Sequence, residues 1–311
     1  MLRFIDLFGG AGGFRCGLER ASASFRCIWY CEIDKYAVKT YNKNFKEDWQ
    51  PKDVRRVQAR AIPAFDLLCA GFPCQSFSMA GNREGFEDTR GTLFFEIARI
   101  AKERQPSLLL LENVFGLLSH DKGRTFETIL RVLDEVGYDA EWQVLNSKHF
   151  GVPQSRERVF IVGHLRGKPF REVFPLGSDG EASPRGEKEP EPASVRTFTA
   201  GAHSGGLHSA MTTIVDFAHR FGAGPRLYKG ESPTLATPDG GHHIPYALKD
   251  FKLRRLTPIE CERLQGFPDD WTAGISDTQR YKLMGNAVTV NVIEAIGSAI
   301  SKASVKMAKP K

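Results

Sequence analysis

The stretch Leu2-Arg3-Phe4-Ile5-Asp6-Leu7-Phe8-Gly9-Gly10-Ala11-Gly12-Gly13-Phe14 begins as an apolar run and stops at a cluster of glycines. The run reads as a buried strand, and the glycines permit a tight turn with close backbone approach to a ligand above the sheet. Taken alone, such a turn also suits a plain strand-to-helix connection. The pattern recurs, however: residues 27–31, 66–70, 108–111 and 159–162 are further apolar runs of strand length. Between them, Leu93, Phe94, Ile97, Ala98 and Ala101 share one helical face, and Phe126, Ile129, Leu130, Leu133 and Val136 share another, with Gly137 as a C-terminal cap. Strands alternating with helices predict an α/β fold around a doubly wound, mostly parallel sheet. Sheets of this kind carry their chemistry at the carboxyl ends of the strands.

Composition narrows the class. The 311 residues suffice for one large domain plus a smaller one, and 41% hydrophobic with 26% charged residues is ordinary for a soluble globular protein. No apolar run is expected to reach the roughly 20 residues of a membrane span, and the first residues lack the regions of a signal peptide. The six cysteines include no C-x-x-C pair, which argues against a disulfide framework or a structural zinc site and for a reducing cytosol. A net charge of +6 permits a polyanionic partner without demanding one.

Three segments carry candidate chemistry. Gly71-Phe72-Pro73-Cys74-Gln75-Ser76-Phe77-Ser78 places a thiol just beyond a strand, in a polar irregular turn. A lone cysteine is more often a small buried hydrophobe than a nucleophile. Leu111-Glu112-Asn113-Val114 puts a carboxylate on the same rim, where burial would let it hold a proton for a substrate heteroatom; a capping or solvated glutamate is the plainer reading. Gln154-Ser155-Arg156-Glu157-Arg158 precedes the last strand, and alternation along an extended segment would turn Arg156 and Arg158 to one face. A surface charge cluster explains that segment equally well. Glu32, ending the second strand beside Asp34, suits ribose hydroxyls, so the glycine loop serves a dinucleotide or S-adenosylmethionine alike.

Taken together, these segments resemble the DNA (cytosine-5)-methyltransferases, especially the compact bacterial restriction–modification enzymes. The likeness continues through Arg255-Leu256-Thr257-Pro258, residues 262–269 (ERLQGFPD) and Gly285-Asn286-Ala287-Val288, in order and spacing, and leaves out roughly residues 166–250. It implies S-adenosylmethionine as cofactor and double-stranded DNA as substrate. It also implies a thiolate at Cys74 that attacks carbon 6 of a flipped cytosine, making carbon 5 nucleophilic. Glu112 would serve N3 and the amino group, Arg158 the O2 edge, and Arg156 the base, its phosphate or the nucleophile loop. Phe8, Gly10, Gly12, Glu32, Ile33, Asp53, Val54, Pro73, Leu93, Asn286 and Val288 would form the cofactor pocket, with Glu32 on the ribose and Asp53 on the adenine. One departure from the family pattern is Lys52-Asp53-Val54, where Gly-Asp is usual. Residues 76–92 resemble the loop that closes over DNA, and Ser78, Arg83, Arg226 and Thr234 would contact DNA.

The resemblance predicts a catalytic domain over residues 1–165 and a target-recognition domain over 166–275. A return helix over 276–311 would complete the catalytic domain. Residues 175–192, rich in Pro, Glu, Gly and Ser, read as a flexible segment, and residues 197–246 as a loop-rich module. His203, His208, His219, His242 and His243 lack ligand spacing, so no metal is expected. The implied setting is a cytoplasmic, nucleoid-associated monomer, with a cognate restriction endonuclease as a further partner. Three other readings stay open. A tRNA cytosine methyltransferase would be separated by competing duplex DNA against tRNA. A catalytically inactive binding module would show no methyl transfer. A nicotinamide oxidoreductase would leave Pro73-Cys74-Gln75 unexplained.

Overall fold

The computed structural model describes residues 1–73, 93–169, 171–176, 213–216, 226–229, 231–235, 246–249 and 252–307. Of these, residues 213–216, 226–229, 233, 246–249, 252–253 and 304–307 are described by backbone alone. Cys74, Ser78, Arg83 and the rest of the expected mobile loop lie outside the described residues, as do the five histidines named above and residues 177–192.

The first strand β1 (Leu2–Leu7) leads through the glycine loop into α1 (Gly13–Ala21), followed by β2 (Phe25–Cys31) and α2 (Lys35–Phe45). Then come β3 (Leu67–Gly71), α3 (Leu93–Arg104), β4 (Leu108–Val114), α4 (Arg124–Glu135) and β5 (Tyr138–Asn146). The short β6 (Gln154–Ser155) precedes β7 (Glu157–Leu165), and β8 (Thr213–Asp216), β9 (Arg226–Lys229), β10 (Ser232–Pro233), β11 (Tyr246–Lys249) and β12 (Lys252–Arg255) follow. The chain closes with α5 (Pro258–Leu264), α6 (Asp277–Asn286) and α7 (Val290–Met307).

Six strands form one sheet in the order β2-β1-β3-β4-β7-β5. The pairings β1–β2, β1–β3 and β3–β4 are parallel, whereas β7 runs antiparallel to both β4 and β5. The expected α/β sheet is present, and α4 ends as expected with Gly137 at φ 96°. The strand β5 escapes the sequence reading because Asp139 and Glu141 interrupt its apolar pattern on a sheet edge.

Period-two alternation sorts the core into two layers. Ile5, Leu7, Leu68, Ala70, Leu109 and Leu111 pack under α3 and α4. Phe4, Leu67, Cys69, Leu110, Phe160 and Val162 face the other way, onto Phe14 and Leu18 of α1 and Val292, Ile293 and Ile296 of α7. The apolar run through Asp277–Ala303 is, against expectation, long and apolar enough for a membrane span, yet 67% of its most apolar stretch is buried inside the fold. Its apolarity serves the packing of α7 on the sheet.

The domain limits shift from those expected. Leu256, Cys261, Leu264 and Phe267, expected in the second domain, pack with Ala11, Cys16 and Ala37, so residues 256–275 share a core with the glycine loop and α2. Glu260 and Thr257 form a capping box at the start of α5, which makes this boundary abrupt. On the other side, Val173 and Phe174 lie in the core, and Glu141 accepts from both their backbone N–H groups at 2.8 and 3.0 Å. Residues 171–176 therefore stay with the sheet. Within the span read as loop-rich, the described residues form a four-stranded antiparallel sheet, order β12-β11-β8-β9. Strands of four residues are too short to show a period in sequence.

The contact between α1 and α7 is set by glycine. A Cβ on Gly17 would sit 2.6 Å from Ile293 Cβ and 2.7 Å from the Val290 carbonyl oxygen. Removing a helical glycine gains about 0.5–1 kcal/mol, but overpacking against backbone costs about 1–3 kcal/mol. Gly17→Ala is therefore expected to lower stability by about 1–2 kcal/mol in urea unfolding, despite the better helix former.

Asp6 is fully buried in β1, beside Tyr30 and Cys69 in register, and neither carboxyl oxygen has a hydrogen-bond partner among the described residues. Burial pushes its pKa up to about 8; Arg15 opposes this, and Glu32 and Glu19 add to it. The folded state thus binds this proton more tightly than the unfolded chain, so the associated stability is full at low pH and drains away as pH rises from about 4 to about 8. Asp6→Asn keeps the neutral shape. Urea midpoints should show the variant gaining on the parent over that window, by up to about 1.4 kcal/mol per pH unit, with a constant difference above it. A pH-independent difference would exclude a buried proton at Asp6.

Candidate active site

The carboxyl ends of β3 and β4 build the rim of the site. Parallel pairing puts Gly71 opposite Glu112, and antiparallel pairing puts Val114 opposite Arg158. Arg158 Nε lies 3.1 Å from Glu112 Oε1, and the two side chains are only 14% and 12% exposed. Burial raises the Glu112 pKa above the usual carboxylate range, while Arg158, Arg156 and the hydrogen bond from Arg158 pull it back. Burial lowers the pKa of Arg158, with Glu112 opposing. The result is a carboxyl that takes up a proton more readily than a solvated one, held in orientation by a planar cation.

The approach to Cys74 is anchored at the same place. Asn113, 2% exposed, donates from Nδ2 to the Phe72 carbonyl at 2.8 Å and accepts the Val114 N–H at Oδ1 at 2.8 Å. Gly71 passes beneath the glutamate, where a Cβ would come within 3.3 Å of Glu112 Oε2. Pro73, which is exposed, is the last described residue before the thiol. Asn113 carries no expected role from the sequence, but a polar residue buried at a strand end needs partners, and its place beside Glu112 is the signal.

Arg156 departs from expectation. It does not turn to the rim with Arg158 but is buried at 2% exposure, donating to the carbonyl oxygens of Leu235 at 3.1 Å, Gly285 at 3.1 Å and Ala287 at 2.8 Å. Alternation fails because Gln154 and Ser155 belong to a separate short strand paired with β10, and Arg156 occupies the break before β7. Thr234, expected on DNA, is half-buried, and its hydroxyl donates to the Ser155 carbonyl at 2.9 Å. Arg226 is placed by its backbone on β9.

The glycine loop closes a second part of the rim. Glu32 accepts the Gly10 N–H at 3.1 Å through Oε2, and the Ile33 and Asp34 N–H groups at 2.7 and 2.9 Å through Oε1. A carboxylate has about four acceptor sites, so one remains for a hydroxyl. Gly12, in left-handed conformation at φ 89°, caps α1 without a side chain, and a Cβ there would strike Phe45 at 2.4 Å. The loop is held from behind: the Tyr30 hydroxyl donates to the Gly10 carbonyl and Trp271 Nε1 to that of Ala11, both at 2.8 Å. Sequence gave no sign of the Trp271 contact, because 260 positions separate the partners.

The remaining cofactor candidates divide. Ile33 is 62% exposed beside Glu32, an apolar face open to a flat ring. Phe8 is half-buried at φ 54°, Leu93 half-buried and Asn286 exposed. Val288 is brought to the loop by Gly13, where a Cβ would lie 2.7 Å from its Cγ1. Asp53 stands near Glu32, since the Lys52 N–H donates to the Glu32 carbonyl at 2.7 Å. Arg55, however, clamps both Asp53 carboxylate oxygens and holds its pKa below the usual range. Val54 is 3% exposed, packed into the core, and offers a ligand little surface.

Comparison with known proteins follows this geometry. The profile of the C-5 cytosine-specific DNA methylases matches residues 2–194 and 210–302. The chain is 39% identical to the Type II methyltransferase M.NlaX of Neisseria lactamica, covering 97% of each chain. It is 38% identical to the Type II methyltransferase M.HhaI of Haemophilus parahaemolyticus, covering 95% of this chain and 93% of that one. Among solved structures, the S. pombe Dnmt2 methyltransferase has a TM-score of 0.69 at 21% identity, covering 99% of this chain and 100% of that one. A putative DNA modification methyltransferase of an E. coli prophage has a TM-score of 0.66 at 23% identity, covering 98% and 100%. These structural likenesses concern the fold. On the profile match and the sequence identities, the chain belongs to the C-5 cytosine-specific DNA methylase family.

Proposed function

We propose that this enzyme methylates carbon 5 of a cytosine flipped out of duplex DNA, through a transient bond from Cys74 to carbon 6, with S-adenosylmethionine as methyl donor. The observation that carries the reading is the Glu112–Arg158 pair, buried together on the rim beside Gly71, three residues before Cys74. Carbon 5 of cytosine is a poor nucleophile. Addition of the Cys74 thiolate to carbon 6 pushes electron density through the ring toward carbon 5. Charge that would build up at N3 and O2 is met by a proton or hydrogen bond from Glu112 and by the Arg158 guanidinium. Loss of the carbon 5 proton and departure of Cys74 restore the aromatic ring and release 5-methylcytosine.

The residues around the glycine loop fit the proposed donor. Glu32 retains an acceptor site for a ribose hydroxyl, Ile33 offers an apolar surface to the adenine, and Val288 packs against Gly13 of the same loop. When bound, S-adenosylmethionine supplies an electrophilic methyl group on its sulfonium. Asp53 is a weaker part of the assignment, since Arg55 already occupies it. The relatives' Type II designation extends to this chain the expectation of sequence-specific methylation alongside a cognate endonuclease.

Cys74→Ala is expected to abolish methyl transfer to duplex DNA while calorimetric binding of S-adenosylmethionine survives; full activity in that variant would sink the covalent step. Duplex DNA carrying 5-fluorocytosine at the target should become covalently attached to Cys74, visible as a shifted band in a denaturing gel. Glu112→Gln keeps shape and hydrogen-bonding reach but removes the titrating proton, and should lower kcat about 10²–10⁴-fold. Bisulfite sequencing of DNA methylated in vitro identifies the site for all of these assays.

A further inference from the structure

The fully buried guanidinium of Arg156 ties together two stretches of chain that have no sequence proximity. One Nη2 bonds both the Gly285 and Ala287 carbonyls, at 3.1 and 2.8 Å, and so brackets the exposed Asn286 between them. Its Nη1 bonds the Leu235 carbonyl at 3.1 Å, adjacent to Thr234, whose hydroxyl is tied to Ser155 at 2.9 Å. Behind it runs a closed polar ring. The Ser147 N–H donates to the Arg156 carbonyl at 3.0 Å, and Ser147 Oγ lies 2.8 Å from Thr289 Oγ1. The Thr289 hydroxyl donates to Gln265 Oε1 at 2.9 Å, and Gln265 Nε2 donates to the Met284 carbonyl at 2.8 Å, one residue before Gly285. Arg156, Ser147, Gln265 and Thr289 are each 2% exposed or less.

An ion buried this deeply depends on the donors that are met, here both Nη groups, since Nε finds no hydrogen-bond partner among the described residues, and losing a further partner leaves a costly orphan. Among the described residues no carboxylate bonds this guanidinium; backbone carbonyls do. Its charge therefore constrains where main chain can run. Those carbonyls belong to the segment bearing Asn286 and Val288, on the glycine-loop side, and to the segment bearing Thr234, on the recognition side.

We propose that Arg156 is a positioning residue that holds the cofactor-binding segment 285–288 and the recognition segment 234–235 in one arrangement, so that affinity for S-adenosylmethionine and affinity for target DNA both depend on it although it touches neither. The inference rests on the functional reading above for what those two segments bind. A guanidinium can serve three carbonyls in one plane, and an ammonium cannot reach the same three with one geometry. Arg156→Lys keeps a nitrogen donor on a long stem and loses the bracket.

The test measures two affinities separately, well below the unfolding temperature. S-adenosylmethionine is titrated by calorimetry without DNA, and a fluorescent duplex containing the mapped target is titrated without cofactor. In Arg156→Lys both dissociation constants should rise about tenfold, while kcat at saturation stays within a few-fold, because Glu112 and Arg158 remain in place. Thr234→Val gives a cross-check: it frees the recognition segment, and cofactor affinity measured without DNA should fall several-fold, far from the substituted atom. Should Arg156→Lys fail to fold, the Thr234→Val result decides alone. Wild-type affinities in both variants, with or without a collapse of kcat, would overturn the proposal. A wild-type chain that bound neither ligand would overturn the functional reading and this one together.

Discussion

Two helices from opposite ends of the chain meet where neither can carry a side chain at the contact. Gly17 of α1 lies against Ile293 and Val290 of α7, and Gly297 of α7 lies against Leu18. The approach buries Val292, Ile293 and Ile296 on the same face of the sheet as Phe14 and Leu18. It also delivers the residues just before α7 to the glycine loop, where Gly13 accepts Val288 at van der Waals range only because it has no Cβ. That contact adds Val288 to a loop that Tyr30, Trp271 and Glu32 already hold through hydrogen bonds.

Polar groups then exploit the dry interior this packing creates. Glu112 and Arg158 share a nearly water-free rim, where burial pushes each toward its neutral form and their mutual attraction pulls each back. Such a balance leaves the glutamate easy to protonate yet fixed in place. Arg156, only two residues away, uses the same low-dielectric surroundings differently, spending its donors on main-chain carbonyls. Asp6 shows a third outcome: with no partner for its carboxyl oxygens among the described residues, burial favours its protonated form.

The sheet, the two amphipathic helices α3 and α4 and the glycine loop were legible in the sequence, because period-two and helical spacing survive in strands and helices with one buried face. Glu112 and Arg158 were singled out only by the order of motifs, since Glu112 alone reads as a cap and residues 156–158 as a surface charge cluster; the structure brings the two side chains together. Edge strand β5, with charges at Asp139 and Glu141, was not legible, nor were the four-residue strands of the second sheet. The domain limits moved for a related reason. Residues 256–275 read as part of the region before them, whereas Leu256, Cys261 and Phe267 bury their apolar surface against Ala11 and Cys16.

The amino-acid sequence by itself determined the fold class and the family, since these rest on local patterning and on motifs in a given order. Only the tertiary structure decided what each polar group does. Arg156 and Arg158 are two residues apart and chemically identical, yet one meets a buried carboxylate and the other meets three carbonyls. That difference comes from a break between β6 and β7 and from chain segments 79 to 131 positions away. Burial and partner choice depend on which distant segments pack together, and spacing along a chain carries no record of that.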